Sequence, residues 1–444
     1  LDIRVVIFDR EAIDMAKCTA VVLLAFCFAS APAQQYGWRV IARPSTIGLT
    51  AVAFTDTLNG VVAGGAAGFY VTTDGGFTWT PGTGATFATR ALSMANARNG
   101  WAAGNSGSFG RINHTTDAGM TWSEQRSVFQ HQYNGTAAQS VLRDITVGGK
   151  SSAPDTGLVL QTTTGGASWQ EQRFGAGTRL LKVVFVDSLH GWISSYSNFI
   201  LRTRDGGATW EQYPTPMHNG QPVFFFGLDF IDTLNGWGGY SNLFYKTTNG
   251  GASWQFQYEV PIPPEDFSIA AMSFPDSLYG WAFGEAFYQG IISEAIYRTT
   301  NSGTSWYRES IGLTSDLGGL SDGMMLDRTH GWAVAGDGRV LAYRPATSVV
   351  ERLPEKPQGF KLRQNYPNPF NLSTSIEYEL SDESNITLHV VDNAGRIVST
   401  LVHAVQSPGV YRVRFDGTAL ASGAYYYRLK TDHTEVIKQM LLLK

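Results

Sequence analysis

The chain has 444 residues, enough for two or three domains that each bury a core of their own. Charged residues make up 16%, below the usual roughly 25%, while glycines number 49 and aromatics reach 13%, a mix that excludes a helix-rich protein and suits a turn-rich all-β one. With a net charge of −4 and no basic run, the chain is not built to neutralise phosphates, which excludes nucleic acid as a partner.

The first element is a leader. Met15-Ala-Lys gives a short basic start, residues 20–28 form an apolar run, and Ala31-Pro32-Ala33 closes it with small residues before Gln34. This order predicts a secretory signal peptide over residues 15–33, cleaved between Ala33 and Gln34. The run is too short to span a bilayer, and Phe26 is too bulky for lipoprotein processing ahead of Cys27. Residues 1–14 read as an upstream extension, with Met15 the expected initiator. Both cysteines, Cys18 and Cys27, lie in the leader, so the expected mature chain has none and depends on burial and ladder hydrogen bonds.

From residue 34 a repeat begins. Thr-x-Asp-x-Gly-x-x-Trp occurs at Thr72-Asp74-Gly76-Trp79, Thr115-Asp117-Gly119-Trp122 and Thr203-Asp205-Gly207-Trp210. It recurs with Asn at Thr247-Asn249-Gly251-Trp254 and Thr299-Asn301-Gly303-Trp306, and with Thr at Thr162-Thr164-Gly166-Trp169. Successive tryptophans are 43, 47, 41, 44 and 52 residues apart, a period that marks a repeat architecture. Ahead of each such Trp box stands an apolar strand, an acid or amide, and a Gly four residues on, usually followed by Trp, as in Phe185-x-Asp187…Gly191-Trp192. Counting an eroded copy at residues 141–149, there are seven such units. Each reads as four strands, the unit of a propeller blade, and residues 34–346 divide into seven blades of about 45 residues. The last unit lacks its Trp box, and the strand at residues 36–40 is expected to complete it, closing the ring and removing an open edge.

Residues 347–357 are Pro-rich and read as a linker. Beyond them the period vanishes, and alternating strands such as Ile376-Tyr378-Leu380 and Tyr411-Val413-Phe415 predict a small Ig-like β-sandwich over residues 358–444. The predicted fold class is therefore all-β, a seven-bladed β-propeller followed by a sandwich.

Chemically, the Trp box reads as structural. A short Asp or Asn accepts backbone N–H groups within its own turn, the Gly takes a positive φ, and one carboxylate per turn is too few for a calcium site. Asp74, Asp117, Asp205, Asn249 and Asn301 are thus assigned a structural role. Up-and-down strands place the acidic Gly-Trp turn and the Trp-box turn on one face. The opposite face carries the loops that vary in length, and it is the candidate binding surface around the central channel. Its candidates are Arg90, His131, Tyr133, Arg143, Arg179, Tyr213, His218, Glu285 and Tyr288. Aromatic platforms of this kind suit a glycan or a protein surface; packing of the rings under their own loops is the alternative. No His/Cys cluster, nucleotide loop or Gly-x-Ser-x-Gly elbow is present, so no metal, no cofactor and no catalytic residue is expected.

On these motifs the Trp boxes resemble the Asp-box, or BNR, repeat of sialidase-like propellers, and with the Gly-Trp turns residues 34–346 look most like the photosystem II assembly and stability factor family. The sialidase resemblance implies an arginine cluster and a Tyr–Glu pair; Arg90, Arg143 and Arg179 are the only arginines on inner-strand approaches. A xyloglucan-cleaving propeller implies a catalytic Asp pair, and Asp266 and Asp322 stand as single residues. The C-terminal segment opens with Gln364-Asn365-Tyr366-Pro367-Asn368-Pro369-Phe370-Asn371, continues through Asp392-x-x-Gly395-Arg396 and Ser422-Gly423-x-Tyr425, and ends at Lys438-Gln-Met440-Leu-Leu-Leu-Lys444. It resembles the type A sorting domain of the type IX secretion system. That resemblance implies, as partners, the type IX translocon and its sortase-like peptidase. The protein is expected to be secreted or attached to the outer-membrane surface, as a binding module for an extracellular glycan or protein. A glycoside hydrolase and an assembly factor for a membrane complex are the alternatives.

Overall fold

The computed structural model describes residues 36–443 apart from 66–67, 85–86, 151–155, 177, 262–265, 289–290, 310–317, 346–350, 354–356, 358, 372, 418–419 and 432–433. The expected leader, its cleavage site at Ala33 and Gln34, and the upstream extension lie outside the described residues.

The described residues are all-β, and those from Tyr36 to Pro345 form seven four-stranded antiparallel sheets of a β-propeller. Each sheet is entered at its innermost strand: Leu49–Phe54, Ala88–Met94, His131–Ala138, Leu180–Phe185, Gly227–Phe230, Asp266–Ser273 and Leu320–Met325. Each inner strand touches the next, and the last touches the first, so they ring a central channel. The chain then steps outward through the second and third strands to a fourth beyond the Trp box. In the seventh sheet that outer place is taken by Tyr36–Ala42, which pairs antiparallel with Val340–Pro345, Trp38 opposite Tyr343 and Val40 opposite Leu341. The closing strand is anchored by Trp38, 2% exposed, whose indole meets Phe283 edge-on and Tyr343 at 5.3 Å each.

The repeat explains how neighbouring sheets lock together. At three of the five Gly-Trp strands the indole N–H is donated to the Trp-box turn of the following sheet: Trp192 to the Gly250 carbonyl at 2.9 Å, Trp237 to Ser302 at 3.0 Å, and Trp332 across the seam to Gly75 at 2.9 Å. The following sheet also supplies a ring to stack on that indole, as Phe230 does on Trp192 at 3.8 Å and Phe54 on Trp332 at 3.6 Å. The Gly before the Trp is required by the ring of its own sheet. A Cβ on Gly191 would sit 2.5 Å from Phe185, and one on Gly236 would sit 2.4 Å from Phe230. Most of the hydrophobic burial is of this inter-sheet kind, so stability is shared around the ring.

The C-terminal residues form two further four-stranded sheets. One pairs Glu351–Leu353, Gly409–Asp416, Ser373–Leu380 and Lys361–Leu362; the other pairs Ile397–Gln406, Ser384–Val391, Gly423–Lys430 and Glu435–Leu442. Their inner faces share one core, with Ile376, Tyr378 and Leu380 from the first and Leu388, Tyr427 and Met440 from the second. Within the expected linker stands one short strand. Glu351–Leu353, between prolines that favour extended backbone, adds an edge strand to Gly409–Asp416 and satisfies hydrogen-bonding groups that would otherwise stay open.

Candidate functional site

The propeller's inner strands enclose a cavity of about 810 Å³. Aligning them on their common register shows how each contributes. In six of the seven sheets a β-bulge near the strand's start shifts the register by a residue. One residue at that point then faces the channel: Thr50, Arg90, Asn134, Leu181, Phe226, Ala270 and Ser321, one from each sheet. Two residues on, Val52, Val183, Leu228 and Met272 border the cavity but are at most 5% exposed, their side chains packed in the inter-sheet cores. The ring of channel-facing residues lies toward the face that carries the inter-sheet connections, where Arg179 and Tyr196 join it. The channel therefore has an aromatic-edged collar bearing Arg90 and Arg179 over a throat whose less buried lining includes Lys182, Asp229 and Asp322.

Charge is distributed unevenly along it. Arg90 Nη1 donates to Asn134 Oδ1 at 3.4 Å, and Arg179 Nη2 to Gln132 Oε1 at 2.7 Å, so each guanidinium is held by a neutral amide. Partial burial, and then the like charge of Arg179, lower the pKa of Arg90. Lower down, Asp229 and Asp322 face Lys182. Desolvation pushes Asp229 up to about 6, against the pull of the Phe274 N–H, which it accepts at 2.6 Å, and of Lys182. Desolvation likewise raises Asp322, against Lys182 and the Val52 N–H, accepted at 3.1 Å. Both carboxylates thus stitch an inner strand to the next sheet. The lining holds three cations against two acids, and neither acid lies in the collar.

The candidates read from the sequence separate into groups. Arg90 and Arg179 meet at the collar. Arg143 does not: it sits in the turn at residues 140–143, beside Gly206 of the next sheet's Trp box, on the opposite face. His131 and Tyr133 are a correction, because both are buried, their side chains bonded to each other at 3.2 Å. Burial lowers the His131 pKa and pushes Tyr133 up to about 12, as expected of core groups rather than a surface platform. Tyr213 donates to Glu211 at 2.8 Å on an outer strand, and His218 Nδ1 lies 3.1 Å from the Tyr245 hydroxyl on a short hairpin. Glu285 is exposed on the second strand of the sixth sheet, and Tyr288 ends that strand. Asp322 lines the channel, whereas Asp266 begins an inner strand, exposed.

Sequence reading missed Asn134, Lys182, Tyr196 and Asp229. Their signal was positional. Arg90, Asn134 and Phe226 each stand four residues before the last residue of their inner strand (Met94, Ala138, Phe230), a register visible only when all seven units are superposed.

The Trp-box polar groups are used within their own turns. Thr72 Oγ1 donates to Asp74 Oδ1 at 2.8 Å and accepts the Gly76 N–H at 2.9 Å; Asp74 also accepts the Thr78 N–H and hydroxyl, at 3.0 and 2.6 Å. Asp117 and Asp205 repeat this arrangement. Asn249 and Asn301 keep the accepting half and turn their amide N–H to Ser253 and Ser305, each at 2.8 Å. Among the described residues no group of three or more His, Cys, Asp or Glu could hold a metal ion, and no helix is long and apolar enough to cross a membrane.

Residues 30–172 and 162–327 match the family model of the photosynthesis system II assembly factor YCF48, and residues 364–443 match the secretion system C-terminal sorting domain. No curated relative matches the chain. Among solved structures, YCF48 from Cyanidioschyzon merolae is similar at 17% identity with a TM-score of 0.52, covering 70% of this chain and 99% of that one. YCF48 bound to a D1 peptide is similar at 18% identity with a TM-score of 0.53, covering 69% and 96%. The structure of U3-55K has the same TM-score at 7% identity, covering 69% and 98%. At these identities the likeness carries the fold alone.

Proposed function

Because the chain belongs to the photosynthesis system II assembly factor YCF48 family, we propose that it is a non-catalytic binding module exported by a type IX secretion system. Residues 15–33 direct it across the inner membrane, and cleavage between Ala33 and Gln34 leaves two residues ahead of the closing strand. Residues 34–346 are a seven-bladed propeller, with Asp74, Asp117, Asp205, Asn249 and Asn301 as its Asp-box residues. Residues 347–357, which include the edge strand Glu351–Leu353, connect it to an Ig-like sandwich at 358–444, which the type IX translocon and its sortase-like peptidase recognise. The product is secreted or held at the outer-membrane surface, where the propeller binds an extracellular glycan or protein.

One observation supports the binding site above others: seven inner strands converge on a single cavity whose collar gathers Arg90 and Arg179 beside exposed Tyr196. Arg143, on the other face, is its natural control. The test is an array of glycans and surface proteins probed with the full chain. Arg179→Gln is expected to weaken the captured interaction about tenfold, and Arg143→Gln to leave it unchanged; the reverse pattern overturns the choice of face. For export, removal of residues 358–444 is expected to retain the chain in the periplasm, and its appearance in the medium would overturn that part of the reading.

A further inference from the structure

We propose that the C-terminal sandwich carries a membrane-docking face on the outward side of its second sheet. Arg428 and Lys430 seat the phosphate of an anionic lipid there, while Val405, Ile437 and Leu441 enter the interface beside it. This goes beyond the channel reading and stands whether or not the propeller binds a glycan or a protein.

The two outward faces of the sandwich differ in charge. On the first sheet Glu377 lies 2.7 Å from Arg412 and 3.2 Å from Arg363, and Glu379 lies 2.8 Å from Arg363, so acids and bases alternate and neutralise one another. On the second sheet Asn385, Thr387 and His389 stand in a row along Ser384–Val391, with Lys430 directly opposite Thr387 and Arg428 opposite His389. These five residues and Thr431 line a cavity of about 220 Å³, and no acid is among its described lining. Glu435 stands across from it, opposite Lys430 and 3.8 Å from Arg428, with the Arg428 and Glu435 side chains 34% and 38% exposed. A pair that long and that wet neutralises little. Lys430 is exposed and makes no ion pair among the described residues. Two cations thus share a depression with an amide and hydroxyl groups, a donor set that suits a phosphate.

The neighbours of that cavity separate a lipid from a dissolved anion. An antiparallel sheet with one face in a core ordinarily turns polar residues outward. Here Val405, directly opposite Asn385, is 66% exposed, and Ile437, directly opposite Arg428, is 54% exposed. Leu441, on the same side of the last strand, is 38% exposed. Among the described strand residues of the first sheet no large hydrophobic is exposed. Residues directly opposite one another in antiparallel strands share a face, so the aliphatic and basic groups stand side by side. A dissolved phosphate gains nothing from the aliphatic side chains. A lipid surface meets both kinds of group, its headgroups taking Arg428 and Lys430 and its acyl boundary taking Val405 and Ile437. Each cation beside an anionic leaflet strengthens partitioning about fivefold, an effect that fades with salt.

Vesicle sedimentation tests this, with the chain from Gln34 to Lys444, which contains every described residue. Vesicles of phosphatidylcholine alone are compared at low salt with vesicles of phosphatidylcholine and phosphatidylglycerol in equal parts. The mixed vesicles are expected to bind at least about tenfold more tightly, and R428Q/K430Q to lose at least about tenfold on them. V405S/I437S is expected to weaken binding by a similar factor. K361Q, on the edge of the first sheet, is expected to leave it unchanged. Thermal melts confirm that these exposed substitutions leave the fold intact. Absence of binding, equal binding to the two vesicles, or insensitivity to R428Q/K430Q overturns the proposal. Competition by millimolar inorganic phosphate together with insensitivity to V405S/I437S assigns the cavity to a dissolved anion and overturns the membrane face. A loss with K361Q as large as with R428Q/K430Q marks diffuse charge attraction and overturns it as well.

Discussion

Replacing Asp144 by Asn is expected to stabilise the protein at pH 8 and not at pH 5. Asp144 is fully buried at the start of Asp144–Lys150, where its carboxylate accepts the Thr136 and Thr146 hydroxyls at 2.9 Å. Desolvation pushes its pKa up to about 7, against those hydrogen bonds and the Ile145 N–H. The folded state therefore holds its proton more tightly than the unfolded chain, whose Asp titrates near the ordinary 3.8. Stability from this group is greatest below pH 4, falls as pH rises toward 7, and is flat above about 8. Each pH unit between 3.8 and about 7 is worth about 1.4 kcal/mol, so ionisation costs the fold of order 4 kcal/mol at pH 8 and less than half of that at pH 5. An Asn cannot ionise, and the two hydroxyls can both donate to its oxygen and accept from its amide. Allowing about 1 kcal/mol for the remade hydrogen bonds, Asp144→Asn gains roughly 2–3 kcal/mol at pH 8 and close to nothing at pH 5. Urea unfolding of both proteins at the two pH values reads this as a midpoint difference that opens with pH. A variant that loses stability at pH 8, or whose advantage is the same at both, would refute the burial argument.

Two further substitutions probe the repeat. Trp38→Ala removes the anchor of the closing strand and is expected to cost about 3–5 kcal/mol, seen as a fall in Tm with aggregation from the opened edge; a loss below about 1 kcal/mol would mean that the ring does not depend on this strand. Thr164→Asp restores an acid to the box in which Thr164 accepts only the Ser168 N–H and meets the Thr162 and Ser168 hydroxyls. In Asp117, hydrogen bonds from Thr121 and Thr115 outweigh the upward push of desolvation and hold the pKa below 3.8. Stability from such a group is present above pH 4 and lost as pH falls through the folded value. The variant should gain about 0.5–1.5 kcal/mol at pH 7 and none at pH 2, and a gain that persists in acid would contradict the mechanism.

How far the sequence could be read follows from what each interaction depends on. The Trp box is a local object: Thr72, Asp74, Gly76 and Thr78 satisfy one another within seven residues, so its motif states its own structure, and substitution of Asn249 or Thr164 marks which atoms matter. The closing strand was legible for a related reason, since a count of six boxes against seven Gly-Trp units leaves one outer place that only residues near Tyr36 can fill. The role of the Gly-Trp indole was not, because Trp192 reaches 58 residues ahead to Gly250 and belongs to the gap between sheets rather than to either motif. The candidate site failed in part from the same cause. Tyr133 and Arg90 both stand at the start of inner strands, and which way each points is set by a bulge one residue wide. At that bulge Tyr133 turns into the core between Trp101 and Leu160, while Asn134, the next residue, turns into the channel with Arg90. A single-residue shift in a pleated strand exchanges the two faces. Local patterning therefore identified the right strand ends and assigned half of their side chains to the wrong side, and the seven-fold superposition of inner strands supplies the missing register.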